Sequence, residues 1–498
     1  MPTEIKGRKL HGLSKSKIMA YRQCPKRLWL QTFRPELATE SPLARLAMQS
    51  GNRIGEAARR LYPDGILIDT NDLRAALEQT RAALADHPEK PLFEATFEHD
   101  GVLIRADVLV PGRNGAQLIE VKGSSSVKDY HVEDAAIQAW VVRATGLPLT
   151  SVQVAHADRN FRYAGGGDYT GLIKPQEVTR AVDSFTPQIA GWVTAARATL
   201  TGAEPGIVCG PQCRDPYECP FLKHCAATET DPTEFPIDEL YRAHPKHKAA
   251  LRAAGYSDIR QIPQHLLKSE KHLRIREAAI TGRAYLDDVA GSQLRAAPYP
   301  RHYFDFETIA VGCPVWPDTG PHLVIPFQWS CHTETAPGVL EHREFLATGT
   351  EDPRRECAET LIAALGDEGP IYAYHAQFEA LRLRELAKQI PDFADALTGI
   401  ANRLSCLEKM TLASYYHPDM HGSWSLKRVL PTVAPHLDYA NLAVRDGVLA
   451  QEAFLEVMEP QTGAERRSEL RRHLLDYCGR DTEALVHLAR FLESANAG

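Results

Sequence analysis

Three short segments of alternating apolar and polar residues succeed one another between residues 92 and 122. Turns rich in glycine, aspartate and asparagine separate them at residues 99–101 and 111–115. Alternation with a period of two is typical of strands that bury one face, and short turns of this composition join antiparallel neighbours. The pattern predicts an antiparallel meander of three strands, and any fold adopted by this chain must contain it.

Helices and a further strand are predicted around the meander. Residues 14–62 have a largely helical pattern, and a second helix is predicted over 132–145, where a glycine and a proline follow it. Residues 151–156 alternate again and predict another strand. The first part of the chain, residues 1–230, is therefore predicted to be one α/β domain.

A polar, proline-containing stretch at residues 226–240 marks the end of this part. A helical pattern follows over about 237–293 and predicts a helical connector. From residue 298 onward strand and helix patterns alternate, which is typical of an α/β domain. The chain is thus predicted to have three parts, at residues 1–230, 231–297 and 298–498.

Composition and charge restrict the class of protein. Apolar residues make up 44% of the 498 residues and the formal net charge is −7, which excludes a mainly disordered chain. The sequence has no apolar run of membrane-spanning length and no N-terminal signal segment, so we expect a cytoplasmic protein without a membrane partner. The 64 acidic residues outnumber the 57 lysines and arginines, so nucleic-acid contact would depend on local basic stretches such as 6–17 and 246–276.

A pair of carboxylates with a lysine is the first candidate for chemistry. In a symmetric register about the turn at 111–115, Asp107 lies opposite Glu120, where cross-strand Cβ atoms are about 4.5–5.5 Å apart. Lys122 lies two residues after Glu120 and therefore shares its face. Two carboxylates this close favour a hard divalent cation between them, and the lysine can stabilise charge on a phosphate. The alternative is an exposed strand pair with a surface ion pair.

This arrangement resembles the PD-(D/E)xK nucleases of RecB type, which have the restriction-endonuclease-like α/β fold. The resemblance implies a set of catalytic residues on two strands and the following helix: Asp107 and Glu120 as ligands of Mg²⁺ or Mn²⁺, Lys122 as the catalytic lysine, and Gln138. Val142 stands where the family often has tyrosine. Glu56 is open to two interpretations, a third acidic group of the site or a solvated helix residue.

Cysteines form the second pattern. Four of them fall within residues 209–225, and one lies far upstream. In a cytosolic chain such a group indicates a metal rather than disulfides, and the spacing is more open than in the usual zinc hairpin, although zinc stays possible. RecB-type exonucleases, which this chain resembles, carry one cysteine before the nuclease core and three after it. The resemblance implies a [4Fe-4S] cluster, with Cys209 as a spare thiol, on Cys24, Cys213, Cys219 and Cys225.

Acidic residues recur in the last part of the chain. Asp305 and Glu307 share one face of a predicted strand, and Glu379 lies at the start of a predicted helix. Tyr477 and Asp481 are four residues apart on a late helix. In this order these residues resemble the DEDD exonucleases of the RNase H-like (DnaQ) class, in which four carboxylates hold two metal ions about 3.5–4 Å apart. The resemblance implies that Tyr477 positions the attacking water, and the alternative is a set of ordinary surface carboxylates.

Two departures from that class concern its second motif. Glu379 replaces the usual aspartate, and His375 stands where asparagine is common. Glutamate is one methylene longer, and a displacement of about 1 Å can cost roughly a hundredfold in rate, so this site could be altered or weakened. Between the second and third motifs, two interpretations stay open: a helix start capped by Ser423 or Ser425, or a substrate-facing loop with Lys427 on a phosphate.

The whole chain resembles a bacterial family in which an iron–sulfur RecB-like nuclease is fused to an RNase H-like exonuclease domain. This implies a metal-dependent nuclease that hydrolyses DNA phosphodiester bonds, on single strands or at ends, in repair, recombination or defence. Two alternatives stand beside it. One is a nucleic-acid-binding scaffold with one or both sites inactive, and the other is an RNA-processing nuclease.

Overall fold

Two large sheets and a two-stranded pair, combined with helices, organise the chain in the computed structural model, which describes residues 12–39, 41–228 and 233–496. A mixed α/β architecture, as predicted, is confirmed. None of the helices among these residues is long and apolar enough to cross a membrane.

The chain folds as two units. The first takes the residues up to 230 together with Ala310–Leu323, and the second takes the remainder. The predicted connector, 231–297, falls within the second unit, and the predicted three-part division stays a prediction. Its first boundary, between residues 230 and 231, lies outside the described residues, as does most of the N-terminal basic stretch that begins at Lys6.

The strands described in the first unit join in one sheet. They are β1 (Leu13–Ser14), β2 (Ile66–Leu67), β3 (Leu92–His99), β4 (Val102–Gly112), β5 (Gly115–Lys122), β6 (Leu149–Ala157) and β7 (Ile173–Glu177). Their order is β2-β3-β4-β5-β6-β7, and β1 pairs with β4. Strands β3, β4 and β5 are antiparallel, so the predicted meander is confirmed, and β6 runs parallel to β5.

The register of β4 and β5 follows the predicted symmetry. A two-residue turn at 113–114 joins the two strands. In the register that it sets, Val108 lies opposite Ile119. Continuing this pairing by one residue sets Asp107 opposite Glu120, as the sequence predicts. Because the side-chain period of a strand is two, the turn length decides which face of the sheet these carboxylates occupy.

Helices cover both faces of this sheet. They are α1 (Lys15–Gln23), α2 (Pro25–Phe33), α3 (Pro42–Arg60), α4 (Leu73–Asp86), α5 (Asp129–Ala144), α6 (Thr179–Thr201) and α7 (Leu222–Thr228). Leu118 of β5 packs in the core that contains the buried face of α5, whereas Ile119 packs in a second core with Ile54 of α3. Glu120 has the parity of Leu118 and therefore faces α5.

The strands described in the second unit form a sheet and a separate pair. They are β8 (Tyr285–Leu286), β9 (Arg301–Ala310), β10 (Val324–Ala336), β11 (Val339–Leu346), β12 (Ile371–Ala373), β13 (Leu404–Cys406) and β14 (Tyr415–Tyr416). The sheet order is β11-β10-β9-β12-β13, and β14 pairs with β8. Strand β12 is parallel to β9 and β13, and β10 is antiparallel to β11. The strand β9, on which Asp305 and Glu307 were predicted to lie, is therefore the central strand of the five-stranded sheet.

The helices of the second unit surround this sheet. They are α8 (Pro245–Ala253), α9 (Glu270–Thr281), α10 (Val289–Ala296), α11 (Arg354–Leu365), α12 (Ala376–Gln389), α13 (Ala394–Arg403), α14 (Leu407–Ser414), α15 (Leu426–Val433), α16 (Gly447–Met458) and α17 (Ala464–Glu493). The long helix α17 packs against β10 and α10. Residues 237–293 are helical in separate pieces, because prolines and glycines divide the stretch into α8, α9 and α10, with short 3₁₀ turns and the strand β8 between them.

The segment Ala310–Leu323 connects β9 to β10 but belongs to the first unit. Its Thr319 carbonyl accepts a hydrogen bond from the Tyr163 N–H at 2.9 Å, and the Asp318 N–H donates to the Tyr163 carbonyl at 2.8 Å. Cys313 is buried in the core that contains Ile54 of α3. A piece of chain that follows the central strand of the second unit therefore completes the first.

Candidate functional site

The first acidic site consists of Asp107, Glu120, Lys122 and Gln138. Lys122 Nζ is 2.6 Å from Glu120 Oε1 and 2.5 Å from Asp134 Oδ2 on α5. Gln138, one turn further along α5, donates a hydrogen bond to Glu120 Oε2. Strand β5 and helix α5 thus bring three of the sequence-predicted residues into direct contact, and the register sets Asp107 beside them.

Burial and neighbouring charge act differently on the two carboxylates of this site. Burial, followed by the charge of Glu120, raises the pKa of Asp107 well above its ordinary value, although Asp107 accepts a 2.7 Å hydrogen bond from the Val121 N–H. Burial also opposes ionisation of Glu120, but Lys122 and Lys15 hold the pKa of that carboxyl well below its ordinary range. Glu120 is the fixed anion of the site, and Asp107 is the carboxyl whose ionisation a bound cation would favour.

Lys15 is a second cation in this site. It lies in the first turn of α1, where the Ser14 hydroxyl caps the helix by accepting from the Lys17 N–H. Lys15 Nζ is 3.0 Å from Glu120 Oε1 and 3.3 Å from Asp134 Oδ1. Sequence reasoning did not single out this residue, since 105 residues separate it from its partner.

The remaining residues considered for the first site lie elsewhere. Val142 is fully buried in the core under α5, so no aromatic side chain enters the site from that position. Glu56 is exposed on α3, and its charge acts on Cys313. Burial, with a smaller contribution from Glu56, raises the pKa of the Cys313 thiol to about 11.

The second acidic site consists of Asp305, Glu307, Glu379 and Asp481. The strand β9 supplies the first two, the first turn of α12 supplies Glu379, and α17 supplies Asp481. Carboxylate oxygens of Asp305 and Glu307 lie within 4.8 Å of each other and of Cys478 Sγ. Burial raises the pKa of the Cys478 thiol well above its ordinary value, so it stays protonated beside the carboxylates.

The four carboxylates of the second site repel one another. Burial, followed by the charge of Asp481, raises the pKa of Asp305 well above its ordinary value. Burial and then Asp305 raise the pKa values of Glu307 and Glu379 in the same direction. Burial raises the pKa of Asp481 to about 6. Asp305 and Glu307 are thus close enough, with Cys478, to share one metal ion, and Glu379 and Asp481 interact with them through their charges.

This carboxylate set fits a divalent cation. Its donors are hard oxygens, the type that Mg²⁺ and Mn²⁺ prefer. Among the described residues no hydrogen-bond donor reaches Glu379 Oε2, although this atom is buried. A cation held between the carboxylates would satisfy that oxygen and offset the repulsion that raises their pKa values.

Two tyrosines and a lysine border the second site. Tyr439 Oη donates a hydrogen bond of 2.5 Å to Asp481 Oδ1, and Tyr477 also bonds to this carboxylate. Lys427 Nζ lies 3.4 Å from Tyr477 Oη and 5.5 Å from the centre of the Tyr439 ring. Ser425 occupies the N-cap position of α15, but its side chain makes no capping bond. A helix therefore begins at this segment, and the charge of Lys427 on its first turn acts on Asp305 and Glu307. Contact of Lys427 with a phosphate stays a prediction.

Five cysteines surround one small cavity of the first unit. Cys24 lies at the N-terminus of α2, Cys213 ends a 3₁₀ turn, and Cys225 lies on α7. The thiols that line the cavity belong to Cys24, Cys209, Cys213, Cys219 and Cys225. Burial, followed by smaller effects that include the other thiols, raises the pKa of Cys219 and of Cys225. The thiols that act on both Cys219 and Cys225 include two of the other predicted ligands, Cys24 and Cys213.

Sequence reasoning missed three residues that contact the two acidic sites. Lys15 and Tyr439 carry no motif, and each reaches its carboxylate only through the folding of a distant element. Asp134 lies on the same helix as Gln138 but is not part of the motif that predicted the site. The signal that could have found Asp134 is its polarity within a helix whose other inward positions are mostly apolar.

Comparison with known proteins gives one match. A family described as a domain of unknown function, DUF2779, matches residues 302–425. The matched segment contains Asp305, Glu307 and Glu379 but ends before Lys427 and Asp481. No curated protein and no solved structure matches the chain.

Proposed function

We propose that this chain is a metal-dependent nuclease that hydrolyses DNA phosphodiester bonds, as an exonuclease on single strands or ends. The observation that carries the proposal is the second acidic site, where four carboxylates from three elements meet in a buried position. Bringing such charges together out of water costs several kcal/mol per ion unless a cation compensates them. Paired divalent cations between carboxylates serve the displacement reaction at phosphorus.

Around the second site, the chain's own side chains support this chemistry. Bound Mg²⁺ or Mn²⁺ would activate water and stabilise the leaving oxygen. Asp305, Glu307, Glu379 and Asp481 would hold the ions. Tyr477 lies beside Asp481 with its hydroxyl toward the site, where it can orient a water molecule. Lys427 is exposed at the same place and can donate a hydrogen bond to a phosphate oxygen of the substrate.

The first acidic site supports the same reaction class independently. Asp107 and Glu120 would hold a metal ion, and Lys122 would stabilise charge that develops on the phosphate. Gln138 holds one oxygen of Glu120 and so fixes the orientation of this carboxylate. These roles are the ones that the resemblance to the PD-(D/E)xK nucleases implies.

The cysteine cavity supports an iron–sulfur group better than zinc. Tetrahedral zinc with Zn–S bonds of about 2.3 Å would hold sulfurs about 3.8 Å apart. Among the described residues, no three of these thiols have sulfurs that all lie within 4.8 Å of one another. A [4Fe-4S] cluster spaces its four thiolates more widely. Bound to Cys24 and to Cys213, it would close a loop of about 190 residues and so reduce the entropy of the unfolded chain.

Degradation of end-labelled DNA tests the proposal. Full-length protein, purified without oxygen, is incubated with single-stranded DNA labelled at the 5′ or the 3′ end, with Mg²⁺ or Mn²⁺ and with EDTA. Mononucleotide released from the 5′ label would favour the first site as the working one, and release from the 3′ label would favour the second. RNA of the same sequence, added as competitor, tests the RNA-processing alternative.

Matched variants assign the activity to a site. Glu120→Gln should abolish cleavage that depends on the first site, and Asp305→Asn cleavage that depends on the second. Glu341→Gln is the control, because this exposed carboxylate on the edge strand β11 pairs only loosely with Arg343, at 3.6 Å. Equal residual cleavage in all three variants would mean a contaminating nuclease and would contradict the proposal.

The second candidate function is a nucleic-acid-binding scaffold. It is favoured by the contacts of Glu120, both of whose carboxylate oxygens are engaged by side chains. The longer Glu379 side chain at the second site favours it as well. This candidate predicts retention of DNA with no metal-dependent product, and no effect of Asp107→Ala on any activity.

A further inference from the structure

Lys15 lies where it neutralises the carboxylate that the proposed function assigns to a metal ion. Its Nζ atom is 3.0 Å from Glu120 Oε1 and 3.3 Å from Asp134 Oδ1. The side chain is mostly buried, at 19% exposure, and Glu120 is nearly inaccessible, at 2%. No motif in the sequence assigns Lys15 a role.

We infer that Lys15 takes the place of the divalent cation at the first acidic site and must leave Glu120 before a metal ion binds there. The inference rests on the proposed function, since it concerns the metal ion of that site. It makes Lys15 a positioning residue that sets how tightly the site binds metal, and thereby adds a form of regulation to the site.

The occupancy of the Glu120 oxygens carries the first step of the argument. Oε2 accepts from Gln138, and Oε1 accepts from both Lys122 and Lys15. Asp107, in contrast, has one hydrogen bond on Oδ2, from the Val121 N–H. A cation held by Asp107 and Glu120 therefore competes with a donor already on Glu120, and at Oε1 the donors are the two ammonium groups.

The contact distances indicate which ammonium group leaves. Lys122 approaches Glu120 and Asp134 to 2.6 and 2.5 Å, and it lies on the same strand as Glu120. Lys15 makes longer contacts, 3.0 and 3.3 Å, and comes from the first turn of α1. Its long stem can swing without any change in the sheet. Lys15 is thus the more weakly held of the two cations.

The balance of charge gives the same result. Three acidic side chains, Asp107, Glu120 and Asp134, face two lysines in a buried place. A divalent cation added beside both lysines would leave an excess of positive charge where little water screens it. Release of Lys15 restores the balance and leaves an ammonium group next to the site, free to bind a phosphate of the nucleic acid.

Binding of Mn²⁺, measured by electron paramagnetic resonance, tests the inference without an assay of activity. All proteins carry Asp305→Asn and Asp481→Asn, which removes binding at the second site. We expect Lys15→Gln to bind Mn²⁺ about tenfold more tightly than the parent. Lys17→Gln is the matched control, because half-buried Lys17 lies on the same helix but directs its ammonium group to the Gly12 carbonyl, and its Mn²⁺ affinity should equal that of the parent.

Thermal unfolding gives a second readout. In EDTA, Lys15→Gln should unfold at a lower temperature than the parent, since the buried carboxylates of Glu120 and Asp134 lose the ammonium group that neutralises them. In saturating Mn²⁺ the two proteins should unfold at the same temperature. Lys15→Arg keeps the charge and adds donors, so it should bind Mn²⁺ no more tightly than the parent. If Lys15→Gln does not fold in EDTA, tighter Mn²⁺ binding by Lys15→Arg would overturn the inference.

The outcomes separate this inference from the proposed function. Mn²⁺ binding that is lost in Glu120→Gln but unchanged or weakened in Lys15→Gln would overturn the role of Lys15 and leave the metal site intact. Mn²⁺ binding that is equal in the parent and in Glu120→Gln would overturn the metal site itself, and the role of Lys15 with it.

Discussion

Glu120 and Asp481 are both buried carboxylates, yet the side chains around them differ in kind. Lys122 and Lys15 supply two positive charges to Glu120, which therefore stays ionised. Asp481 receives hydrogen bonds from the phenols of Tyr439 and Tyr477, and burial still raises its pKa to about 6. The first site is nearly balanced in charge without metal, whereas the second depends on a cation to ionise fully.

Lys427 should contribute to turnover at the second site. Its ammonium group lies 3.4 Å from Tyr477 Oη, in a position to contact a phosphate oxygen as charge develops. We expect Lys427→Ala to lower the single-turnover rate on 3′-labelled DNA by about a hundredfold, the usual effect of removing one such donor. Arg428→Ala, the exposed cation next to it, should leave the rate unchanged, and an equal loss in both variants would contradict this role.

His302 should make the protein less stable in acid. Its Nδ1 lies 3.0 Å from Thr333 Oγ1 and its Nε2 3.2 Å from the Glu368 carbonyl, and burial lowers its pKa from 6.5 to about 4. The unfolded chain binds a proton near pH 6.5 and the folded chain does not, so the free energy of unfolding falls as the pH falls from 6.5 to 4. The loss from this residue is at most about 3 kcal/mol.

Thermal unfolding at pH 7 and pH 5 checks the His302 prediction. His302→Gln keeps both hydrogen-bonding functions but does not titrate, so its unfolding temperature should drop less between the two pH values than that of the parent. His265→Gln, an exposed histidine, is the control. An identical drop in all three proteins would show that other groups cause the acid sensitivity.

At the scale of elements, the hairpin of β4 and β5 depends on one glycine. Gly115 has φ +131°, and a Cβ atom there would lie 2.5 Å from the Pro148 carbonyl oxygen. We expect Gly115→Ala to lower the unfolding free energy by about 1–3 kcal/mol, as for other strained backbone positions. Gly191→Ala, in an open position on α6, should instead stabilise the protein by up to about 1 kcal/mol. Denaturant unfolding of both variants distinguishes these effects.

Elements whose signals are local could be predicted from the sequence. The turn at 113–114 fixes the parity of β4 and β5, so the pairing of Asp107 with Glu120 followed from counting residues. Helix α5 and the strand β9 have equally local patterns, and Gln138, Asp305 and Glu307 on these elements were predicted with them.

Other features depend on tertiary packing and could not be predicted in this way. Strand β11 is an edge strand whose first six residues are exposed, so it shows no apolar alternation and was not predicted. Lys15 and Tyr439 reach their carboxylates across 105 and 42 residues of chain. Nothing in the spacing of residues encodes contacts between elements so far apart.

At the scale of the whole molecule, the cysteine cavity predicts a coloured protein. Protein purified without oxygen should be brown and absorb near 400 nm, about where thiolate-bound clusters absorb, and Cys219→Ala should lose this absorbance. Cys406→Ala, a half-buried thiol on β13, should keep it. A colourless protein with one bound zinc would contradict the iron–sulfur proposal and favour the alternative.

The segment Ala310–Leu323 has a consequence for how the chain folds during synthesis. When a ribosome has released the first 230 residues, the first unit still lacks Cys313 in its core and the partner of Tyr163. Domains commonly fold as they emerge, at roughly 5–20 residues per second, but this unit gains its last segment only after about 90 further residues. By then β9 has also been made, so the two halves of this protein cannot mature strictly one after the other.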